Sequence, residues 1–252
     1  MKGEVVMTKI SVDIENIKNG LHEIGYEISD CIERENNGIN WQLKFKNSGS
    51  VVTIYDTNKT NNSVVNGRPE EGEKEKLKRI IDDLKCNEFV VDPLNAKIVE
   101  LIRSRREDYY YDFKQCFNHN KKDSFLHDIL CLLNNTENKD AYLIFGVTDD
   151  YKVVGVKEDD IKSNNIQDFI KKIKFAGDVT PELIVHKLLF KYKDIVVIEC
   201  KSSKNVPFYL EKRYKNVRDN CIYTRVGDTN TPKDSCASYK DIEKLWRIHF
   251  DC

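Results

Sequence analysis

The sequence predicts an α+β fold in two domains. In the first third, apolar residues at helical spacing bracket short stretches in which apolar and polar residues alternate. A linker from Cys86 to Asp92, closed by Pro93, then interrupts the pattern. Beyond it, helical and strand periods alternate to the C-terminus, as in a mixed sheet covered by helices. The domains expected from these features are 1–86 and 93–252.

Within the first domain, Ile14, Ile17, Leu21 and Ile24 mark a helix. Trp41, Leu43 and Phe45 alternate with polar residues as a half-buried strand does. Asn47-Ser48-Gly49-Ser50 is a turn, Val51 to Tyr55 a second strand, Asp56-Thr57-Asn58 another turn, and Val64-Val65 a short strand ended by Gly67. A charged helix from Glu70 to Leu84 buries Leu77, Ile80, Ile81 and Leu84. This α-β-β-β-α order, with its strand-turn-strand-glycine pattern, resembles the small TATA-binding-protein-like module appended to some bacterial ribonucleases. The alternative is an unrelated α+β accessory domain. On either basis, without clustered acids, histidines or thiols, it is expected to dock a partner protein or substrate.

The second domain opens with a helix marked by Ile98, Leu101 and Ile102. The expected order continues with strand 109–114, helix 124–134 with Ser124 as N-cap, strand 141–147, strand 152–156 and helix 159–174. Ile166, Phe169, Ile170 and Ile173 are the buried stripe of that last helix. Strands 183–190, 195–200 and 221–226 and a closing helix 239–250 complete it.

Composition narrows the function classes. Charged residues make up 33% of the chain, and no apolar run approaches the ~18 residues of a membrane span. A soluble cytoplasmic protein with no membrane partner is expected. The eight cysteines are scattered without Cys-x-x-Cys or a paired histidine, which argues against structural zinc and leads to the expectation of free, reduced thiols. The five histidines are isolated, and no phosphate-binding loop or dinucleotide fingerprint occurs. A formal net charge of −1 counts against a whole-surface nucleic-acid binder. Cations nevertheless concentrate between Lys201 and Arg225, leaving room for a local basic groove formed by Lys201, Lys204, Lys212, Arg213, Arg225 and Asn230.

The chemistry-bearing stretch runs from Glu107 to Gly155. In a strand, Asp112 and Lys114 project from one face, and Glu107, five residues earlier, can fold back toward it. Asp149 follows an apolar strand whose end can deliver a polar group to a ligand. Carboxylates repel one another, so three converging beside a lysine point to a metal ion or a scissile phosphate. The alternative is a surface ion-pair set, Glu107 with Arg105 and Arg106, Asp112 with Lys114. Glu199-x-Lys201 mimics part of a restriction-type nuclease site but lacks an upstream acid. Tyr109, Tyr110 and Tyr111 could stack on bases or pack into the core.

These residues resemble the Schlafen AlbA-like domain. That family carries Glu-x-x-x-x-Glu-Phe-Lys, a helix ending in Asn-Thr, an apolar strand into Gly-Val-x-Asp, a Val-x-Gly turn and a Tyr-x-Arg-x-Gly-Ser strand. Here stand Glu107 to Asp112-Phe113-Lys114, Asn135-Thr136, Gly146-Val147-Thr148-Asp149, Val153-Val154-Gly155 and Tyr223-Thr224-Arg225-Val226-Gly227-Asp228. Asp112 replaces a glutamate, and Asn138-Lys139-Asp140 replaces a Gly-Gly turn. The resemblance implies an endoribonuclease that cleaves transfer RNA or similar structured RNA, as a toxin or antiphage effector. Glu107, Asp112 and Asp149 would hold Mg2+ or Mn2+, Lys114 would join them in catalysis, and Arg225 would grip phosphate. One lobe implies a homodimer to span folded RNA. The competing expectation is a non-catalytic DNA-binding or regulatory module.

Overall fold

A computed structural model describes residues 12–35, 39–56, 62–157 and 161–250. Thr57 and Asn58 of the expected turn, Asp159 at the expected helix start and Cys252 lie outside the described residues. The chain divides into two compact units, Met1–Glu100 and Leu101–Cys252. The boundary falls inside helix Pro93–Arg103, which the sequence assigns wholly to the second domain.

In the first unit, helix α1 (Ile14–Glu23) starts where the Asp13 side chain accepts the backbone N–H of Glu15 and Asn16, each at 3.0 Å. Strands β1 (Ile28–Glu35), β2 (Ile39–Phe45), β3 (Gly49–Asp56) and β4 (Ser63–Arg68) form one antiparallel meander, followed by helix α2 (Glu73–Lys85). Trp41, Leu43, Phe45, Val52, Ile54 and Val65 are buried, as are Leu77, Ile80, Ile81 and Leu84 of α2. The sequence predicts three strands; β1 is the fourth. It is an edge strand with no residue fully buried, so it lacks the alternation that betrays β2 and β3. Helix α3 (Pro93–Arg103) follows.

The second unit contains a four-stranded sheet in the order β5 (Tyr111–Lys114), β6 (Ala141–Phe145), β8 (Lys193–Cys200), β7 (Leu183–Phe190). Strands β5 and β6 are parallel and connected through helix α4 (Lys122–Leu133); the other pairs are antiparallel. Helix α4 packs on β6 and β8, and helix α5 (Ser163–Lys171) on β7. The register sets Asp112 beside Leu143, and Lys114 beside Phe145, so these four share a face with Val196 and Ile198. Leu143, Phe145, Val196 and Ile198 belong to the core under α4. Hence Asp112 and Lys114 face α4 at the sheet's β5 edge. Tyr111, Phe113 and Tyr142 point the other way.

Asn134, wholly buried at the end of α4, ties this helix to the C-terminal segment. Its amide donates to the carbonyls of Phe208 (2.7 Å) and Tyr223 (3.0 Å) and accepts the Phe208 N–H (2.7 Å). Asn135 closes the next turn, accepting the Lys139 N–H and donating to the carbonyls of Leu132 and Lys139. Asn138 is left-handed there (φ 48°), a conformation asparagine tolerates in place of glycine. The segment then forms a hairpin of β9 (Arg225–Val226) and β10 (Thr229–Asn230), turned by Gly227 at φ 58°. Helix α6 (Tyr239–Phe250) ends the unit.

Four local expectations are corrected. Residues 152–156 form a single bridge, Val147 to Val153, because the N–H groups of Val154 and Gly155 both turn back to the Gly146 carbonyl. Gly146 (φ 100°) must lack a side chain, since a Cβ there would lie 3.1 Å from the Gly155 backbone. Within 221–226, only Arg225–Val226 makes a ladder. Ser124 lies inside α4, and its hydroxyl accepts from Lys233 Nζ at 2.9 Å. Finally, Cys221 and Cys236 form a disulfide with a Cα–Cα distance of 5.4 Å, because the Ala237 N–H to Ile222 carbonyl bond (2.8 Å) brings these segments side by side. Cys31, Cys86, Cys116, Cys131 and Cys200 are thiols, as expected. Among the described residues, no helix is long and apolar enough to cross a membrane.

Candidate active site

Three carboxylates and two cations meet between the β5 edge, α4 and the β9–β10 hairpin. Strand β5 presents Asp112 and Lys114, whose ammonium ion-pairs with Asp112 Oδ2. Glu107 folds back as its spacing predicts: Oε1 accepts the Phe113 N–H at 3.0 Å. From the hairpin, Arg225 donates Nε to the Asp108 carbonyl (2.8 Å), Nη1 to Asn230 Oδ1 (2.8 Å) and Nη2 to Glu107 Oε2 (2.6 Å). Nη2 also lies 3.3 Å from Asp112 Oδ1. Asn230 is the direct cross-strand partner of Arg225, which is why both side chains reach one spot. Its amide in turn donates to Asp128 Oδ1 of α4 at 2.9 Å, and Asp128 Oδ2 is 3.9 Å from Lys114 Nζ.

Burial grades this cluster from a sealed back to an open front. The Asp112 and Arg225 side chains are 3% and 2% exposed, whereas Lys114 is 36% exposed. Lys114 and Asp128 line a cavity of about 220 Å³, walled by Asn118, Lys121 and Ser124. Removal from water pushes the Asp128 carboxyl up to about 6; the neighbouring Asp112 adds to this, and Lys114 and Arg225 oppose it. Burial likewise raises Glu107, reinforced by Asp112 and resisted by the Phe113 N–H and Arg225. For Lys114, burial pulls downward, but Asp128, Asp112 and Glu107 outweigh it, and the ammonium is held above its ordinary value. The result is a charged lysine beside a carboxyl that burial raises to about 6.

Of the residues expected from sequence, Glu107, Asp112, Lys114, Arg225 and Asn230 come together. Asp149 is exposed on the 148–151 turn and, among the described residues, makes no hydrogen bond or ion pair. That turn also sends Tyr151 against Phe113, on the sheet face away from Asp112. Arg225, expected on phosphate, has its guanidinium committed to the acids. Lys201 pairs with Asp140 and with Glu199 (3.2 Å), which His186 also contacts at 2.9 Å. Glu199 aligns with Tyr142, so this group is on the opposite face. Lys204 and Lys212 are exposed. Arg213 lines a recess with Arg218 and Lys233. Among the three tyrosines, Tyr111 is buried, and Tyr109 and Tyr110 are partly so.

Asp128 is the functional candidate absent from the sequence expectations. Its signal was present: α4 is buried at Phe125, Leu126, His127 and at every position from Ile129 to Leu133, so an acid within it must face a polar partner. His127 serves the core, its Nε2 2.8 Å from the Thr231 carbonyl, and burial depresses its pKa.

The donor set also decides how the cluster suits a divalent ion. All six oxygens of Glu107, Asp112 and Asp128 face a nitrogen of Phe113, Arg225, Lys114 or Asn230. An ion there would have to displace Lys114 and Arg225. Among the described residues, no group of three or more His, Cys, Asp or Glu is placed to hold one. As arranged, these carboxylates do not fit a resident Mg2+ or Mn2+.

The Schlafen, AlbA_2 family model matches residues 107–234, a span that starts at the first acid of the cluster and includes every member of it. The chain belongs to the Schlafen AlbA_2 family. Among curated proteins, no relative matches it. The family contains both nuclease-like and DNA-binding members, and in some of them the domain is associated with nuclease activity.

Proposed function

We propose that residues 101–252 form a ribonuclease that cleaves transfer RNA or similarly structured RNA. The observation that carries this reading is Asp128, a carboxyl titrating near 6, beside the Lys114 ammonium in a cavity open to solvent. A general base works best when its pKa lies near the operating pH, and Asp128 meets that condition. It accepts the proton of an attacking ribose 2′-hydroxyl as that oxygen bonds to phosphorus and the P–O5′ bond breaks, the departing 5′-oxygen taking a proton from water. Lys114 offsets the charge that builds on the phosphorus oxygens in the transition state. Arg225 positions Glu107 and Asp112, Asp112 pairs with Lys114 and aims it, and Asp128, Asp112 and Glu107 together keep the lysine protonated. A host role as toxin or antiphage effector, a cytoplasmic location, a homodimer to span folded RNA and a protein partner docked on the first unit remain part of the proposal.

The test is incubation of the pure protein with total RNA, with and without Mg2+ or Mn2+, alongside Glu107→Gln, Asp112→Asn, Asp128→Asn and Asp149→Asn. Discrete RNA fragments from the wild type, lost in the first three variants, are expected. Equal fragmentation by all of them would refute the site. A second reading, a nucleic-acid-binding module without catalysis, is favoured by the complete pairing of the carboxylate oxygens, as in a structural ion-pair network. Salt-sensitive DNA or RNA binding with no cleavage would establish it.

A further inference from the structure

On the far side of Phe117 from the acid cluster lies a second cavity of about 360 Å³, between the start of α4 and α5. That is the scale of a small-ligand pocket, with room for about one nucleotide. Two rings line it. Phe117 is held edge-on by Phe125 (5.2 Å) and Phe145 (5.9 Å), and Phe169 is anchored in the core. Three lysines surround the rings: Lys122, whose Nζ stands 5.6 Å over the Phe169 ring, Lys162 and Lys172. Asn165 and Asp168 of α5 and Lys172 at its C-cap fall on one face and line the cavity together. They add an amide, one carboxylate and a cation.

Flat apolar surface ringed by cations suits a ligand with an aromatic ring at one end and phosphate at the other. A divalent ion is excluded by the lysines, and a purely apolar ligand would make no use of the Lys122 and Lys172 ammonium groups. We propose that this cavity is a nucleotide subsite: a base packs against Phe117 and Phe169, Asn165 and Asp168 meet its polar edge or ribose hydroxyls, and Lys122, Lys162 and Lys172 take the phosphate. Phe117 lines both cavities, so an RNA strand crossing Lys114 and Asp128 can place an adjacent nucleotide here. For that source the inference rests on the ribonuclease reading; the other source is a free nucleotide.

The experiment uses the full chain and its Lys122→Gln/Lys172→Gln variant, because these side chains lie on the cavity rim whereas Phe169 supports the core. The probes are AMP, UMP, adenosine and a labelled eight-nucleotide single-stranded RNA, the last in an Asp128→Asn background that blocks cleavage. Thermal melts establish that the variant folds. Monophosphate binding at least about 10-fold weaker in the variant, adenosine binding weakly to both, and a salt slope for the oligonucleotide smaller by about 1.4 support the subsite, two lost contacts counting about 0.7 each. Unchanged affinity for the monophosphates and the oligonucleotide overturns it. RNA cleavage by the wild type without any monophosphate binding overturns the subsite and leaves the nuclease standing. Lysine-dependent monophosphate binding without RNA cleavage supports the subsite as a free-nucleotide site and removes the nuclease reading.

Discussion

Replacing Asp128 by asparagine isolates the cost of holding a charge inside the acid cluster. The folded-state carboxyl sits at about 6 against an ordinary 3.8, so the fold binds its proton more tightly than the unfolded chain does. Stability from this group is therefore greatest below the unfolded value and is lost as pH rises from about 4 to 6. At about 1.4 kcal/mol per pKa unit, the ionised form weighs up to about 3 kcal/mol against folding above pH 7. Asparagine keeps the shape and an oxygen facing Asn230 but never ionises. The assay is urea unfolding of wild type and Asp128→Asn from pH 4 to 8. It follows Trp246 of α6, with Trp41→Phe in both proteins so that the signal reports the second unit. The variant should be more stable at pH 7 by about 1–3 kcal/mol, and the gap should close toward pH 4. A gap that does not change with pH, or a wild type more stable at neutral pH, would refute the electrostatic account of the cluster.

Arg225→Ala leaves Glu107 and the buried Asp112 without their shared guanidinium and should cost about 3–5 kcal/mol in denaturant melts. Arg225→Lys should recover less than half of that, because one ammonium cannot serve four acceptors at once. Reducing the Cys221–Cys236 bridge, or Cys221→Ser with Cys236→Ser, releases a loop of 15 residues that carries Arg225 and Asn230. A loss of about 3 kcal/mol in melts with and without reductant is expected.

The elements legible in sequence were those with a clean period. The stripe Ile166, Phe169, Ile170 marked α5, and the alternation of Trp41, Leu43 and Phe45 marked β2. Strand β1 was hidden because an exposed edge imposes no pattern. The local half of the site was legible too, since Asp112 and Lys114 share a strand face by geometry alone. Its remote half depended on tertiary register. Arg225 lies 118 residues from Glu107, and only the cross-strand pairing of Arg225 with Asn230 explains how one hairpin reaches both Glu107 and Asp128. The Cys221–Cys236 bridge escaped for the same reason: a spacing of 15 carries no signature until the 222–237 backbone pairing is known. Asp149 was placed by motif position, but a turn directs its residue by local backbone, and this one stands in solvent.

The central claim, that Asp128 acts as a base beside a charge-stabilising Lys114, is tested most directly by single-turnover cleavage of a transfer-RNA substrate as a function of pH. Wild-type protein should show a rate that rises with an apparent pKa near 6 and then levels off. Asp128→Asn should abolish that limb and slow cleavage by about 10²-fold or more. An Asp128→Asn protein that cleaves at the wild-type rate, with the wild-type pH profile, would contradict it.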